Sequence, residues 1–219
     1  MKKLAIYQCL VFDCDGVVLN SNQVKTEAFY QSALAYGEPD AKEFVHYHTT
    51  HGGISRYKKF AYLLDEILPR CGLKADGPQL DELLATYANL VYEGLLNCEV
   101  APGLLELRQQ LPDTRWLIVS GGAQDELRDI FAQRGLDILF DGGIFGSPDI
   151  KEQILDRELA AGNITQPALF LGDSQYDYQA ARHANLDFVF LSGWTEVDGW
   201  EKWCADNQIW FVQSAGDLV

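Results

Sequence analysis

No stretch of this sequence stays apolar for the roughly 20 residues that a membrane-spanning helix needs, and no repeat or polar low-complexity tract interrupts it. A soluble globular chain with no membrane partner is therefore expected. Positive charge is scarce: 17 lysines and arginines face 32 aspartates and glutamates, a net charge of −15. A field of that sign repels a long polyanion, which argues against nucleic-acid binding. A small phosphorylated ligand needs only a locally positive site, from a metal ion or a few lysines and arginines. Cysteines are few: Cys9, Cys14, Cys71, Cys98 and Cys204, an odd count without metal-ligand spacing. That suits reduced thiols in a cytosol, as buried bystanders. The opening Met1-Lys2-Lys3 is basic, but the apolar run behind it contains Tyr7, Gln8 and Cys9 and ends in Asp13 with no small-residue cleavage site. No export signal is expected, and a cytoplasmic location is.

What is present points to layers of strand and helix. Of the 219 residues, 47% are hydrophobic, enough for one substantial core and a small second lobe. Five short apolar runs read as buried strands: Tyr7 to Phe12, Trp116 to Val119, Ala168 to Leu171, Phe188 to Leu191 and Ile209 to Val212. Helical patterns separate most of them. Leu127, Ile130 and Phe131 recur at helical spacing between Ala123 and Arg134, and Gly135 supplies a C-terminal stop. Strands alternating with helices predict an α/β fold with a mostly parallel, Rossmann-like sheet.

The first two runs are separated by about a hundred residues, where a simple crossover takes about a dozen. An insertion is expected there, and its pattern is helical: one stripe is Tyr57, Phe60, Ala61, Leu64 and Leu68, another Leu80, Leu83, Leu84, Tyr87 and Val91. Residues 19–99 are thus read as a small helical lobe on a core of 1–18 and 100–219. The linkers fall near Val17 to Asn20 and Cys98 to Gly103.

Ligands of parallel α/β sheets sit beyond the carboxyl ends of the strands, and the unusual polar residues fall there. One strand ends in Asp13-Cys14-Asp15-Gly16, another in Ser120-Gly121-Gly122, and a third in Gly172-Asp173-Ser174-Gln175-Tyr176-Asp177; the loop Gly146 to Lys151 opens a further helix. Asp13 and Asp15, two apart on an extended segment, point the same way while Cys14 faces away. Two carboxylates that close call for a cation, and Asp173 would complete the hard oxygen site that Mg²⁺ favours. Read singly, each aspartate is a common turn or cap residue; their joint placement favours the site. An aspartate is a legitimate nucleophile, but against an anionic phosphate it needs its charge relieved by a cation and by a lysine on the far side. Lys151 is the candidate, although a solvated helix residue would look the same. Its place near a helix N-terminus, disfavoured by the macrodipole, hints at a role. Ser120, Gly121 and Gly122 lead into a helix and could bind phosphate, as could any ordinary strand-to-helix turn.

Asp-x-Asp-Gly, then Ser, then Lys, then Gly-Asp-Ser-x-x-Asp, in that order across residues 7 to about 190, resembles the haloacid dehalogenase-like hydrolases. The helical insertion is similar to that family's cap, and the nearest branch is that of the phosphoglycolate phosphatases and β-phosphoglucomutases. The resemblance implies that Asp13 is the nucleophile and Asp15 the general acid and base. It implies that Ser120 and Lys151 hold the transferring phosphoryl group, and that Mg²⁺ is held by Asp13, the Asp15 backbone carbonyl and Asp173. Asp177 would support the metal from behind or through water.

Departures from the pattern narrow the reaction. True haloacid dehalogenases lack an acid at the position of Asp15. β-Phosphoglucomutases carry a cap histidine where this sequence has Lys25, a candidate substrate-binding residue. Asn20 stands where many relatives have aspartate. His51-Gly52-Gly53-Ile54-Ser55-Arg56 resembles a Gly-x-Ser-Arg segment that touches substrate in the mutase branch, so Arg56 could bind a second anionic group or be merely solvated. His46, His48 and His51 fall within six residues; a polar loop at the substrate entrance is favoured over a zinc site, which lacks companion ligands. Lys58 and Lys59 read as a solvated helix face, and Trp194, Trp200 and Trp203 as packing for the C-terminal segment.

The expectation is a Mg²⁺-dependent phosphatase acting on a small phosphorylated sugar or organic acid through an aspartyl-phosphate, as a monomer or weak homodimer. A phosphomutase, or a binding protein that keeps the fold without turnover, is the alternative.

Overall fold

The computed structural model describes residues 4–70 and 77–218. Met1-Lys2-Lys3 and Cys71 lie outside them. In chain order the elements are β1 (Cys9–Phe12), α1 (Asn22–Ala33), α2 (Glu38–Thr50), α3 (Arg56–Tyr62), α4 (Leu68–Arg70), α5 (Leu80–Asn97), α6 (Leu104–Gln110), β2 (Arg115–Ala123), α7 (Gln124–Gln133), β3 (Gly143–Ser147), α8 (Lys151–Ala160), β4 (Ala168–Gly172), α9 (Gln175–His183), β5 (Asp187–Leu191), α10 (Trp200–Asp206) and β6 (Trp210–Val212). The strands form one sheet, β3-β2-β1-β4-β5-β6, with every pairing parallel.

Both faces of this sheet are covered except at the edge strand β6, where Trp210 and Phe211 are exposed, which explains why the inner strands read as unbroken apolar runs. Alternate residues serve opposite faces: Leu10, Phe12, Trp116, Ile118, Leu169 and Leu171 pack with α6 and α7, while Cys9, Val11, Leu117, Val119, Ala168 and Phe170 pack with α8 and α9. β1 lies centrally between β2 and β4. After it the chain builds outward first on one side and then on the other, and at such a switch point the loops splay open into a crevice.

All of α1 to α5 stands between β1 and β2. Phe29 is its centre, with ring centroids 5.4 Å from Phe44, 5.3 Å from Phe60 and 4.3 Å from Tyr87. Chain enters and leaves this lobe side by side: Asn20 N–H donates to the Glu99 carbonyl at 2.9 Å and Ala101 N–H to the Val18 carbonyl at 2.9 Å. The lobe therefore hangs from the sheet by a paired neck.

Three expectations need correction. The segment read as a loop from Gly146 begins inside a strand, β3; Gly143 and Gly146 interrupt the apolar pattern that would have marked it. The stripe through Tyr57 and Leu64 is displaced, for Tyr57 is exposed and the buried residues are Phe60, Leu63, Ile67 and Leu68. A π-helical turn over Leu63–Ile67 shifts the phase, because each π turn takes more residues than an α turn. Finally, Ser120-Gly121-Gly122 is not itself the turn but the end of β2, which runs to Ala123, the N-cap of α7. The tryptophan reading holds: Trp200 stacks on Phe190 at 5.7 Å, and Trp203 meets the same ring edge-on at 5.7 Å.

Candidate active site

The crevice beside β1 holds a small cavity, about 70 Å³, walled from the sheet side by Asp13, Asp15, Gly121, Gly122 and Asp173 and from the helical lobe by Lys25, His48, Arg56 and Lys59. Ligand oxygens of Asp13, Asp173 and Asp177 all lie within 4.8 Å of one another, and the three residues are buried. None of the histidines joins this cluster, and His46 and His51 are exposed.

Local sequence explains the convergence. Gly16 turns the chain with φ +71, and a Cβ there would sit 2.0 Å from Asp173 Oδ2, so only glycine lets the β1 and β4 ends approach. After β4, Ser174 caps α9: its hydroxyl accepts from Asp177 N–H at 3.2 Å and donates to Asp177 Oδ2 at 2.6 Å. The other Asp177 oxygen, Oδ1, accepts from Lys151. Asp177 is thus both a cap and a partner for the buried lysine, and neither of its oxygens is idle.

Lys151 is 1% exposed. Its Nζ lies between Asp177 and Asp13, 2.9 Å from Asp13 Oδ1. Among the described residues this ammonium is the only donor group that approaches Asp13 Oδ1. Burial, set against the attraction of Lys151, pushes Asp13 up to about 7. Burial followed by the charges of Asp177 and Asp13 holds Asp173 well above the usual carboxylate range. Three buried carboxylates that share a single ammonium still repel one another, which a hard divalent cation would relieve, so the residues present fit Mg²⁺. Asp13 and Asp173 are its direct ligand candidates.

Asp15 is placed otherwise. Lys25 Nζ donates to Oδ2 at 2.6 Å and the Ser21 hydroxyl to Oδ1 at 2.6 Å. Burial alone would raise its pKa, but the Lys25 ammonium and these two hydrogen bonds outweigh it and hold the carboxyl below its ordinary value. Ser120 is fully buried and is not part of the cavity wall; its hydroxyl accepts from Gly122 N–H at 3.0 Å. Gly121 forms the wall instead. A Cβ there would meet the Gly53 carbonyl oxygen at 2.3 Å, so sheet and lobe touch backbone to backbone at this point.

Lys59, read as part of a solvated face, and Arg56, left between a second-anion role and solvation, are both buried. Arg56 is 6% exposed and its guanidinium forms a two-pronged ion pair with Glu126 on α7. Lys59 is 2% exposed and lies against His48 Nδ1 at 2.6 Å. Burial, followed by the Lys25 charge, pulls the Lys59 ammonium down to about 7. Lys58, one residue earlier, is exposed as read.

Sequence reasoning also missed Asn22, Thr26 and Glu196. Asn22 Nδ2 donates to Asp173 Oδ2 at 2.8 Å and to the Trp194 carbonyl at 2.8 Å, and Thr26 donates to Glu196 at 3.0 Å. A signal for two of them existed: Asn22, Lys25, Thr26 and Phe29 follow the i, i+3, i+4, i+7 spacing of one helix face, polar where it meets the site and aromatic where it enters the lobe. Glu196 left no such mark, sitting in an irregular loop after β5.

The whole chain superposes on solved structures. A predicted phosphoglycolate phosphatase from Haemophilus somnus matches with a TM-score of 0.75 at 18% identity, over 98% of this chain and 97% of that one. A Lactobacillus plantarum protein provisionally named a phosphoglycolate phosphatase gives 0.71 at 25% identity, over 97% of each chain. A β-phosphoglucomutase from Clostridium difficile gives 0.69 at 18%, over 97% of this chain and 93% of that one. No curated protein sequence matches. The model of the haloacid dehalogenase-like hydrolases matches residues 7–185, four motifs and insertion included, and the chain belongs to that family.

Proposed function

We propose that this protein is a Mg²⁺-dependent phosphatase that hydrolyses a small phosphorylated metabolite, a sugar phosphate or a phosphorylated organic acid, through a phospho-enzyme on Asp13. The observation that carries this reading is the buried cluster of Asp13, Asp173 and Asp177 around Lys151, with Asp15 across the same cavity.

Asp13 attacks phosphorus and forms the new O–P bond, while the bond from phosphorus to the substrate oxygen breaks. Asp15 takes up a proton brought in by the phosphate monoanion of the ester, gives it to the leaving oxygen and then takes one from the attacking water, which displaces phosphate and restores the Asp13 carboxylate. Bound between Asp13, the Asp15 backbone carbonyl and Asp173, the metal would supply charge that lets one anion approach another. Lys25 and Ser21 fix the Asp15 carboxyl. Lys151 neutralises Asp13 and reaches for a phosphoryl oxygen, and Gly121 and Gly122 offer backbone against it. The helical lobe is the cap: by closing on the sheet it excludes bulk water and shapes the space left for the leaving group.

A phosphate-release screen over phosphorylated metabolites tests this. Turnover is expected with Mg²⁺ and not with chelator. Isomerised product with little free phosphate would turn the assignment to a phosphomutase, and no release from any ester would remove it.

Closure itself can be probed at Gly121. An alanine there collides with the Gly53 carbonyl and holds the cap loop off the sheet. About a hundredfold loss of kcat/KM is expected, the usual effect of misplacement by about 1 Å, with little change in melting temperature. Unaltered kcat/KM would show that this contact does not form during turnover.

A further inference from the structure

Among the described residues, each cation that faces the cavity has a carboxylate partner except one. Lys25 is paired with Asp15, Arg56 with Glu126, and Lys151, just behind the wall, with Asp13 and Asp177. Lys59 has no carboxylate within ion-pair distance among the described residues, although it is almost wholly buried. Its neighbour is a histidine, and the hydrogen bonds around that ring fix its state. Thr26 gives its hydroxyl proton to Glu196, at 3.0 Å. Its oxygen, 3.0 Å from His48 Nε2, must then accept from that nitrogen. A neutral imidazole with its proton on Nε2 has Nδ1 free to accept, and Lys59 Nζ is there at 2.6 Å. Burial, followed by the charges of Lys59 and Lys25, keeps His48 well below its ordinary pKa, in agreement with the neutral ring.

The relay Lys59, His48, Thr26, Glu196 therefore spans α3, α2, α1 and the loop after β5, and aims the ammonium without neutralising it. An ammonium has three donors. His48 takes one at Nδ1 and lies within 3.4 Å at its carbonyl, which leaves a donor for whatever enters the cavity. A buried, unpaired, positioned charge is costly in the free protein and becomes favourable when an anion joins it.

We infer that Lys59 is a substrate-binding residue, held by His48, which receives a second anionic group carried by the leaving-group half of the substrate. This deepens the phosphatase reading of the same cavity and rests on it. The transferring phosphoryl group is held at Asp13 and Lys151, so the second anion, carboxylate or phosphate, must sit on the part of the molecule that departs. The cavity at these groups is small, about 70 Å³, so the probes begin with short chains.

Matched esters test the inference. Suitable probes are the O-phosphates of hydroxyacetate, lactate and 3-hydroxypropanoate, each beside its neutral carboxamide, and propane-1,3-diol bisphosphate beside its monophosphate. The wild type is expected to favour the doubly anionic member of at least one series by about tenfold in kcat/KM, the scale of one charge-assisted hydrogen bond. The series that shows it tells carboxylate from phosphate. Lys59→Met should bring that ratio close to one, and Lys59→Arg should keep part of it. A general folding defect cancels in the ratio, so a merely structural lysine would leave it unmoved. Titration calorimetry of the same pairs against Asp13→Asn protein reads the preference without turnover. Binding preference with no phosphate release would leave the subsite standing and remove the phosphatase reading. Release or binding without preference, or a ratio unchanged in Lys59→Met, would overturn the role given to Lys59.

Discussion

Replacing Asp13 with asparagine is expected to lower phosphate release by at least about a thousandfold, the scale on which a covalent nucleophile is missed. Asparagine has nearly the same shape, so the β1 end keeps its backbone hydrogen bond from Asp13 N–H to the Leu171 carbonyl, 2.9 Å, and the fold stays. Gone is the oxygen that attacks. Because Asp13 is also proposed to touch the metal, a lost ligand has to be told apart from a lost nucleophile. Raising Mg²⁺ separates the two. Asp173→Asn should regain part of its rate as Mg²⁺ is increased, while Asp13→Asn should regain none. Acid-quenched wild-type protein should carry a phosphoryl group on the peptide that contains Asp13. Equal rates in wild type and Asp13→Asn would end the assignment.

Lys151→Met should damage stability as well as activity. Its ammonium is the only positive charge in contact with Asp13 and Asp177 among the described residues, and all three side chains are essentially out of water. Removing one partner from a buried ion pair costs about 3–5 kcal/mol, which for a domain of this size lowers the melting temperature by roughly 10 °C. The pH dependence has a definite sign. Without the lysine, the folded pKa of Asp13, already raised by burial, moves further above that of the unfolded chain, so the native state binds more protons and gains stability as pH falls. The deficit relative to wild type, measured by urea unfolding in chelator, should therefore shrink between about pH 8 and about pH 5. A variant as stable as wild type across that range would show that Lys151 does not balance these charges.

The sheet was legible in the sequence wherever its strands are buried on both faces, because such strands need apolar residues at every position. It was illegible at β3, where glycines at positions 143 and 146 blur the pattern. The acidic half of the candidate site was legible too: Asp13, Asp15 and Asp173 sit at strand ends and Asp177 in the first turn of α9, where topology brings them together. Its basic half was legible only in part: Lys25 and Lys151 stand out in the sequence and meet Asp15 and Asp13, but Lys59 does not stand out. Lys58 and Lys59 are neighbours of one type on one helix, and a single step of about 100° around the axis puts the first in water and the second in the cavity. Which lysine turns inward depends on how α3 packs against Phe29 and His48, a tertiary fact with no local trace. For Arg56 the sequence left anion binding and solvation open, because its partner, Glu126, lies 70 residues away across the cleft.

The narrow neck at Val18 to Asn20 and Glu99 to Ala101 has a consequence for the history of such a chain. Entry and exit lie next to each other, so the lobe behaves like a cartridge in a socket: residues between them can be lengthened, shortened or exchanged without rethreading a strand. The residues proposed to break the ester bond would then be inherited as one piece, and those proposed to choose the ester as another. Selection can rewrite the second, Lys59 included, at little risk to the first.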